Sequence, residues 1–295
     1  MTSRTMPSTT EGTNRGPFTP TDWGLLLSSA TIFGASFLFM AIGLEAFPPA
    51  VVTFGCLALC FFPASHRSID PQDWPRLLAV SVTWMALPFS LFPIAQQYVN
   101  SAVAGMLNGA TPLTTALFAA ILLQRSPGPR QLLGLATGFL GILLIGIPSV
   151  GSGPSSALGV GLIVGAVCCY GVAINLAIPL QQKYGSLPII WKSLAVALIF
   201  TAPAMLIGLP DSSFEPAPIA ALLVLGVFGT GLASVAAASL GGRVGATRAS
   251  VLTYVATPVA IVLGVAFRGD QLSVLELCGA ALTLSGAWFA SRSDP

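Results

Sequence analysis

Long apolar stretches, interrupted by Pro, Gly or charged residues, occupy the chain from about residue 23 to residue 290. A helix crosses the roughly 30 Å hydrocarbon core of a bilayer with about 20 residues, so runs of that length predict membrane spans. Ten runs fit: Trp23–Gly43, Pro48–Ser65, Leu77–Gln96, Ala102–Leu123, Leu132–Ile147, Ala157–Leu180, Leu187–Leu209, Ile219–Leu240, Ala249–Phe267 and Leu272–Ala290. The pattern predicts an all-α membrane protein with ten transmembrane helices.

The composition agrees with a lipid environment. Only 7% of the 295 residues are charged and the mean hydropathy is +0.85, whereas about a quarter of the residues of a soluble domain are charged. The net charge of +2 is spread over the connections, which excludes a basic nucleic-acid-binding face. The expected partners are the lipid bilayer and a small-molecule substrate, with no nucleic acid; the oligomeric state stays open.

The distribution of Lys and Arg predicts the orientation, because short loops rich in these residues stay in the cytoplasm. With both termini cytoplasmic, only Arg268 falls on the outer side. The other eleven basic residues lie in or beside cytoplasmic segments: Arg4, Arg15, Arg67, Arg76, Arg125, Arg130, Lys183, Lys192, Arg243, Arg248 and Arg292.

The first 21 residues are rich in Ser, Thr, Pro and Gly and contain no continuous apolar segment. A cleavable signal peptide needs such a segment, so we expect residues 1–21 to form a disordered cytoplasmic tail and the first span to act as a signal anchor. The predicted location is the cell (inner) membrane, with several passes.

The chain contains an internal repeat. Ala110-Thr111-Pro112 matches Ala256-Thr257-Pro258 at an offset of 146 residues, and Gly134 and Gly141 match Gly279 and Gly286 at an offset of 145. The predicted units are 22–150 and 157–291, with a linker at 151–156 and a short cytoplasmic tail at 292–295. Five spans is an odd number, so the second unit enters the membrane from the opposite side. Inverted repeats of this kind recur in secondary transporters.

Two matching prolines indicate a candidate site. Pro112 and Pro258 lie in the fourth span of each unit, where the missing N–H frees the carbonyls of Asn108 and Tyr254. Kinked helices at matching places are typical of substrate sites. The alternative is that a neighbouring helix, a Thr hydroxyl or a water satisfies each kink. Further polar or aromatic residues are candidates for the cavity lining: Thr111, Thr257, Trp84, Tyr170 and Asn175.

Ionisable residues are scarce inside the spans, and such residues are functional candidates. We expect the stem of Lys192 to snorkel to the cytoplasmic surface, with a contact to a substrate anion as the alternative. Glu45 and Glu276 are expected at the outer interface. Because no carboxylate lies near the middle of a span, we expect facilitated diffusion of a neutral or zwitterionic substrate. Proton coupling through Glu45, Asp270 or Glu276 needs a wet cavity that reaches one of them.

The sequence offers little for an enzyme, a cofactor or a metal. The single histidine, His66, lies in a predicted loop, so no Ser-His pair or HExxH zinc site can form inside the membrane. The five cysteines lie in apolar runs without His or carboxylate neighbours. We therefore expect no catalytic residue, no cofactor and no metal site.

Two stretches resemble the EamA family of the drug/metabolite transporter superfamily. They are SAVAGMLNGATPLTTALFAAILLQRSPGPRQLLGLATGFLGILLIG and GATRASVLTYVATPVAIVLGVAFRGDQLSVLELCGAALTLSGAWFAS. In each, a span with a central Pro precedes a polar turn and a Gly-rich span. The sequence departs from the family in that Gln124 replaces the usual acidic residue of the first turn, whereas Asp270 keeps it, and the second span, VVTFGCLALC, lacks an Arg.

The resemblance implies ten helices in two inverted repeats around a central cavity, and export of amino acids or other small metabolites by alternating access. The alternatives are a flippase for lipid or polyprenol-linked substrates and a membrane scaffold without transport. The GxxxG pairs Gly134/Gly138 and Gly161/Gly165 permit close helix packing, either within the chain or with a second copy.

Overall fold

The structure is a computed structural model that describes residues 18–61, 68–122, 129–151, 154–245, 248–249 and 252–290. These residues form helices joined by short connections, which we number in chain order. The helices are α1 Pro20–Gly43, α2 Pro49–Cys60, α3 Pro71–Ala95, α4 Ser101–Leu122, α5 Pro129–Gly151, α6 Pro154–Tyr184, α7 Ser186–Gly208, α8 Pro216–Val244, α9 Leu252–Arg268 and α10 Val274–Ala290.

Six helices are long and apolar enough to cross a membrane, judged by length and composition: α1, α3, α4, α6, α7 and α8. The others contain shorter apolar segments, including Leu132–Ile145 in α5. The outer sides of the helices carry large exposed apolar side chains such as Ile199, Ile207 and Val262. Because lipid covers the outside and protein the inside, these helices are apolar all round, as expected for membrane spans.

Two helix starts lie earlier than the sequence predicted. The α1 helix begins at Pro20 because Thr19 and Asp22 form a capping box, in which each side chain binds the other residue's backbone N–H. The α5 helix continues to Gly151 and α6 begins at Pro154. Proline is well tolerated in the first helical turn, so the expected 151–156 linker is shorter; residues 152 and 153 lie outside the described residues.

The kinks differ between the two units. The α4 helix is broken at Gly109 and Ala110, between the segments Ser101–Asn108 and Thr111–Leu122. In contrast, α9 continues through Pro258. Two further irregularities are π-helical segments, Ser81–Ala86 in α3 and Leu225–Leu232 in α8.

The repeat glycines form the contact between α5 and α10. A Cβ on Gly279 would lie 2.8 Å from the carbonyl oxygen of Gly141, and a Cβ on Gly286 would lie 2.6 Å from that of Gly134. The earlier glycine of each unit therefore meets the later glycine of the other. This reciprocal pairing of antiparallel helices is the geometry of a two-fold axis and agrees with an inverted repeat.

Contacts between helix ends assign those ends to two sides of the bundle. On one side, the start of α1 meets the end of α8 through Asp22 and Arg243, and the region before α3 meets the end of α6 through Asp70 and Lys183. On the other side, Glu45 after α1 pairs with Arg268 at the end of α9. The first side is the predicted cytoplasmic side.

Candidate functional site: a central cavity between the two units

A cavity of about 150 Å³ lies between the two units. Helices α1, α3, α4, α6 and α8 line it, together with the region at the start of α9. The lining residues are Phe33, Ser36, Phe37, Met40, Trp84, Phe89, Phe92, Asn108, Thr111, Tyr170, Ile174, Ala177, Ile178, Gln181, Leu225, Gly229, Thr230, Ser234, Ala237, Ala238, Gly241, Ala249, Leu252 and Thr253. Among the residues that the structure describes, this lining contains no Asp, Glu, Lys, Arg or His, and most of it is apolar.

The cavity extends toward the predicted cytoplasmic side. Its lining residues on α6 continue to Gln181, near the end of that helix, and those on α8 continue to Gly241. Toward the other side, Phe92 lies edge-on to Phe37 with ring centroids 5.5 Å apart and stacks on Tyr170 at 6.0 Å. Phe37 and Phe92 are buried, so this aromatic cluster forms a packed part of the cavity wall toward the predicted outer side.

Four predicted residues meet at the cavity: Asn108, Thr111, Trp84 and Tyr170. Asn108 and Thr111 lie on either side of the break in α4. The Thr111 hydroxyl donates to the Asn108 carbonyl oxygen at 2.7 Å. A local hydroxyl therefore satisfies the carbonyl that Pro112 leaves without its helical donor, which is the alternative given in the sequence analysis. The side chains of both residues line the cavity.

Three other predicted residues lie outside the lining. The Asn175 amide donates to the carbonyls of Thr115 and Gly171, so it joins α6 to α4. The Thr257 hydroxyl donates to the Gly105 carbonyl at 3.3 Å and joins α9 to α4. Tyr254 is half-buried and packs against the main apolar core. Their placement indicates helix packing rather than a place in the cavity wall.

The π-helical segments bring matching positions of α3 and α8 to the cavity. The offset of 146 residues that relates Pro112 to Pro258 also relates Trp84 to Thr230. Both residues lie in π segments and both line the cavity. The Thr230 hydroxyl donates to the Leu225 carbonyl five residues earlier. Single-turn π segments are frequently found at functional sites.

Sequence reasoning missed several polar lining residues, namely Ser36, Gln181, Thr230, Ser234 and Thr253. All lie in helices whose apolar residues are distributed around the whole circumference, so periodicity does not identify the face that points inward. Thr230 could have been predicted from the internal repeat, because it lies 146 residues after Trp84, which was already a candidate.

The charged candidates lie away from this lining and have structural contacts. The Lys192 ammonium lies 5.1 Å from the ring centroid of Trp191 and 5.9 Å from that of Trp74, where cation–π attraction holds it. Glu45 pairs with Arg268. Asp270 accepts hydrogen bonds from the Ser101 hydroxyl at 2.6 Å and the Ala102 N–H at 2.9 Å, and so caps α4.

Glu276 forms a capping box at the start of α10. Its Oε2 accepts hydrogen bonds from the Ser273 N–H at 2.7 Å and the Ser273 hydroxyl at 2.8 Å. It also borders a second, polar cavity of about 460 Å³, beside Asn100 and Gln271. Among the residues that the structure describes, no group of three or more His, Cys, Asp or Glu is arranged to hold a metal ion.

Comparison with known proteins gives a match over both units. The model of the EamA-like transporter family matches residues 23–147 and 157–292. These two ranges coincide closely with the units that the internal repeat predicts, and the break between them falls in the α5–α6 connection.

Several relatives that are named as transporters align with nearly the whole chain. An uncharacterized transporter of Bacillus subtilis, YdfC, is 24% identical over 88% of this chain and 87% of its own length. A probable terminal-alkyne amino-acid exporter of Streptantibioticus cattleyicolor is 22% identical over 92% of this chain and 93% of its own. The uncharacterized inner membrane transporter YedA of Escherichia coli is 27% identical over 86% and 85%.

A solved crystal structure has the same fold. It superposes with a TM-score of 0.62 at 20% sequence identity and covers 90% of this chain and 96% of its own. Together with the apolar helices, the named relatives place this chain among multi-pass membrane proteins of the transporter type.

Proposed function

Because this chain belongs to the EamA-like transporter family, we propose that it is a secondary transporter that exports small neutral or zwitterionic metabolites, such as amino acids. The central cavity carries this proposal. It lies between the two units, and the packed rings of Phe37, Phe92 and Tyr170 border it toward one side. A carrier that works by alternating access has its substrate site at the interface between its two repeat units.

The proposed topology is ten spans with both termini in the cytoplasm. It is supported by the contacts that group helix ends onto two sides, such as Asp22 with Arg243 on one side and Glu45 with Arg268 on the other. The reciprocal contacts of Gly141 with Gly279 and of Gly134 with Gly286 support the inversion. Two inverted units can exchange conformations, which opens the same cavity to either side in turn.

The lining supports a neutral or zwitterionic substrate. Small-molecule sites are mostly apolar with a few hydrogen-bonding groups that fix orientation. In this cavity the amide of Asn108 and the hydroxyl of Thr111 supply such groups at the break in α4, and the rings of Trp84 and Tyr170 supply apolar surface. A substrate with a large net charge lacks a counter-charge among these residues.

Facilitated diffusion is the proposed mode of transport. Glu45 pairs with Arg268, Asp270 caps α4 and Glu276 caps α10, so each carboxylate has a structural role outside the central cavity. The polar cavity that Glu276 borders is a different one. The direction of export is supported by the name of the S. cattleyicolor relative.

The test is counterflow of labelled leucine, phenylalanine, threonine and propargylglycine, the last a terminal-alkyne amino acid, into liposomes with the purified protein. No ion gradient is applied. We expect accumulation of at least one compound by the wild type and about tenfold slower accumulation by Asn108→Ala, which removes a hydrogen-bonding group from the site. Gln182→Ala, which changes an exposed amide outside the cavity, is the matched control.

Each alternative function gives a different result. If the wild type accumulates none of the four compounds, neutral amino acids are not its substrates, and an obligatorily coupled exporter, a flippase or a scaffold replaces the proposal. If Asn108→Ala and Gln182→Ala transport equally well, the site is not at the break in α4.

A further inference from the structure

Gln181 is a buried polar side chain at the end of the cavity nearest the predicted cytoplasmic side. It is 5% exposed and lines the central cavity. Its carbonyl oxygen Oε1 is buried without a hydrogen-bond partner among the described residues. A buried amide oxygen without a donor is unfavourable, so this position favours a ligand or a water that brings a donor.

Two glycines of α8 pack close to this amide. A Cβ on Gly241 would lie 2.8 Å from Ile178 Cδ1 and 3.6 Å from Gln181 Oε1. A Cβ on Gly242 would lie 3.9 Å from Gln181 Cβ and from Ser186 Oγ. Alanine at position 241 would therefore crowd Ile178, and a longer side chain would also reach Gln181 and narrow the mouth of the cavity.

The basic groups around this mouth have carboxylate partners. Two residues beyond Gln181, the Lys183 ammonium lies 2.6 Å from a carboxylate oxygen of Asp70 and 2.6 Å from one of Asp73. On α8, Arg243 binds Asp22 at 2.6 Å. Because both basic side chains already bind carboxylates, the mouth does not favour an anionic ligand.

This position is well separated from the break in α4. The Thr114 hydroxyl binds the Val167 carbonyl of α6, and Asn108 lies six residues before Thr114 on α4, which runs in the same direction as α6 in the predicted topology. From Val167 to Gln181 the helix rises by about 21 Å at 1.5 Å per residue. A molecule the size of an amino acid cannot span that distance, so Gln181 and Asn108 bind it at different stages.

We propose that Gln181 forms a second subsite at the cytoplasmic mouth of the cavity, where its amide oxygen accepts a hydrogen bond from the ammonium or amide N–H of a substrate on its way to Asn108 and Thr111. This inference rests on the proposed function, because it assigns a step to the same transport path. Gly241 lines the cavity beside this amide and brings no side chain of its own into the mouth.

The test is equilibrium exchange of labelled leucine in liposomes, with the half-saturating concentration as the readout. Gln181→Leu removes the acceptor and Gln181→Glu keeps one. We expect the half-saturating concentration to rise about tenfold in Gln181→Leu, the effect of losing one hydrogen bond to a charged donor, and to stay within threefold of wild type in Gln181→Glu. Gln182→Leu, the neighbouring exposed residue, is the matched control and stays within twofold.

The melting temperature in detergent separates binding from folding. Gln181→Leu replaces a buried group that lacks a partner, so its melting temperature stays equal to that of the wild type or rises.

The proposal is overturned if Gln181→Leu exchanges leucine with a half-saturating concentration within twofold of wild type, which is the result expected if only water occupies the position. Equal impairment of the Leu and Glu variants also overturns it, because that result indicates a packing role. If the wild type transports neither leucine nor any other compound of the counterflow panel, the proposed function itself is overturned.

Discussion

Gly279 lies so close to Gly141 that a Cβ on Gly279 would be 2.8 Å from the Gly141 carbonyl oxygen. The two residues belong to different units, and the repeat relates Gly279 to Gly134 and Gly141 to Gly286. Gly286 in turn approaches Gly134 and Gly138. The two units therefore meet through backbone contacts that only glycine permits, as in close helix pairs of membrane proteins.

Substitution of Gly286 should disrupt this contact. A Cβ on Gly286 would lie 2.3 Å from the backbone nitrogen of Gly138, so α5 and α10 must separate to admit even alanine. We expect Gly286→Ala to destabilise the protein by about 2 kcal/mol, typical of overpacking against atoms that cannot move aside. The measurement is the melting temperature of the purified protein in detergent.

The control for this experiment is Gly161→Ala. Gly161 belongs to the other GxxxG pair, yet a Cβ there would meet nothing within 4 Å. Because alanine has a higher helix propensity than glycine, the melting temperature of Gly161→Ala should equal that of the wild type or be slightly higher. Equal destabilisation by both changes would contradict the close α5–α10 contact.

The repeat made much of the architecture predictable from the sequence. A duplicated pattern of apolar segments predicted two units, and the family model matches the chain twice, over residues 23–147 and 157–292. The Gly134/Gly138 pair also anticipated a close helix contact, because the GxxxG spacing permits one, whereas a Cβ on Gly161 of the second pair would meet nothing within 4 Å. The partner of Gly134 and Gly138 could not be read from the spacing, since the same pattern suits a helix of the same chain or of a second copy.

The site was less predictable. Asn108 and Thr111 could be found because a proline in an apolar segment indicates a break. Nothing in the sequence distinguished Thr111 from Thr257, although one lines the cavity and the other joins two helices. Gln181 was missed because a Gln near a helix end is usually a surface residue. Only the packing of α6 against α8 buries it.

The two ion-pair clusters on the predicted cytoplasmic side should differ in strength. Asp22 is fully buried and binds Arg243 at 2.6 Å, and it also caps α1 through Thr19. We expect Asp22→Asn to cost about 1–2 kcal/mol, because it weakens the cap of α1 and an ion pair in which Asp22 is buried and Arg243 is 41% exposed. Asp70→Asn should cost less than about 1 kcal/mol, because the side chains of Asp70 and Lys183 are about half exposed.

Thermal unfolding of both variants in detergent checks this difference. The double variant Asp22→Asn/Arg243→Gln separates the ion pair from the helix cap. If the two residues are coupled, its loss of stability is smaller than the sum of the losses in Asp22→Asn and Arg243→Gln measured singly. Equal effects of Asp22→Asn and Asp70→Asn would show that burial of Asp22 does not strengthen its pair.

The break in α4 should depend on the Thr111 hydroxyl. This hydroxyl donates to the Asn108 carbonyl at 2.7 Å, and Thr111→Val leaves that buried carbonyl without its donor. We expect a loss of about 1–3 kcal/mol in stability and slower counterflow, because Asn108 is no longer held at the cavity. Thr137→Val is the matched control, since the Thr137 hydroxyl also binds a carbonyl of its own helix but lies at the exposed surface. Normal counterflow by Thr111→Val would exclude a role for this bond in transport.

The aromatic cluster should keep the cavity closed toward the predicted outer side. Phe92 is 3% exposed and contacts the rings of both Phe37 and Tyr170. Phe92→Ala removes the ring that joins them and leaves a cavity on that side, at a cost in stability of about 3–5 kcal/mol. In liposomes with the folded variant, we expect faster passive leak of preloaded labelled leucine and a weaker accumulation in counterflow, because the cavity then communicates with both sides at once.

Phe289→Ala, on the exposed surface of α10, is the matched control and should leave both rates unchanged. If Phe92→Ala leaks no faster than Phe289→Ala, closure toward that side depends on other residues than this cluster.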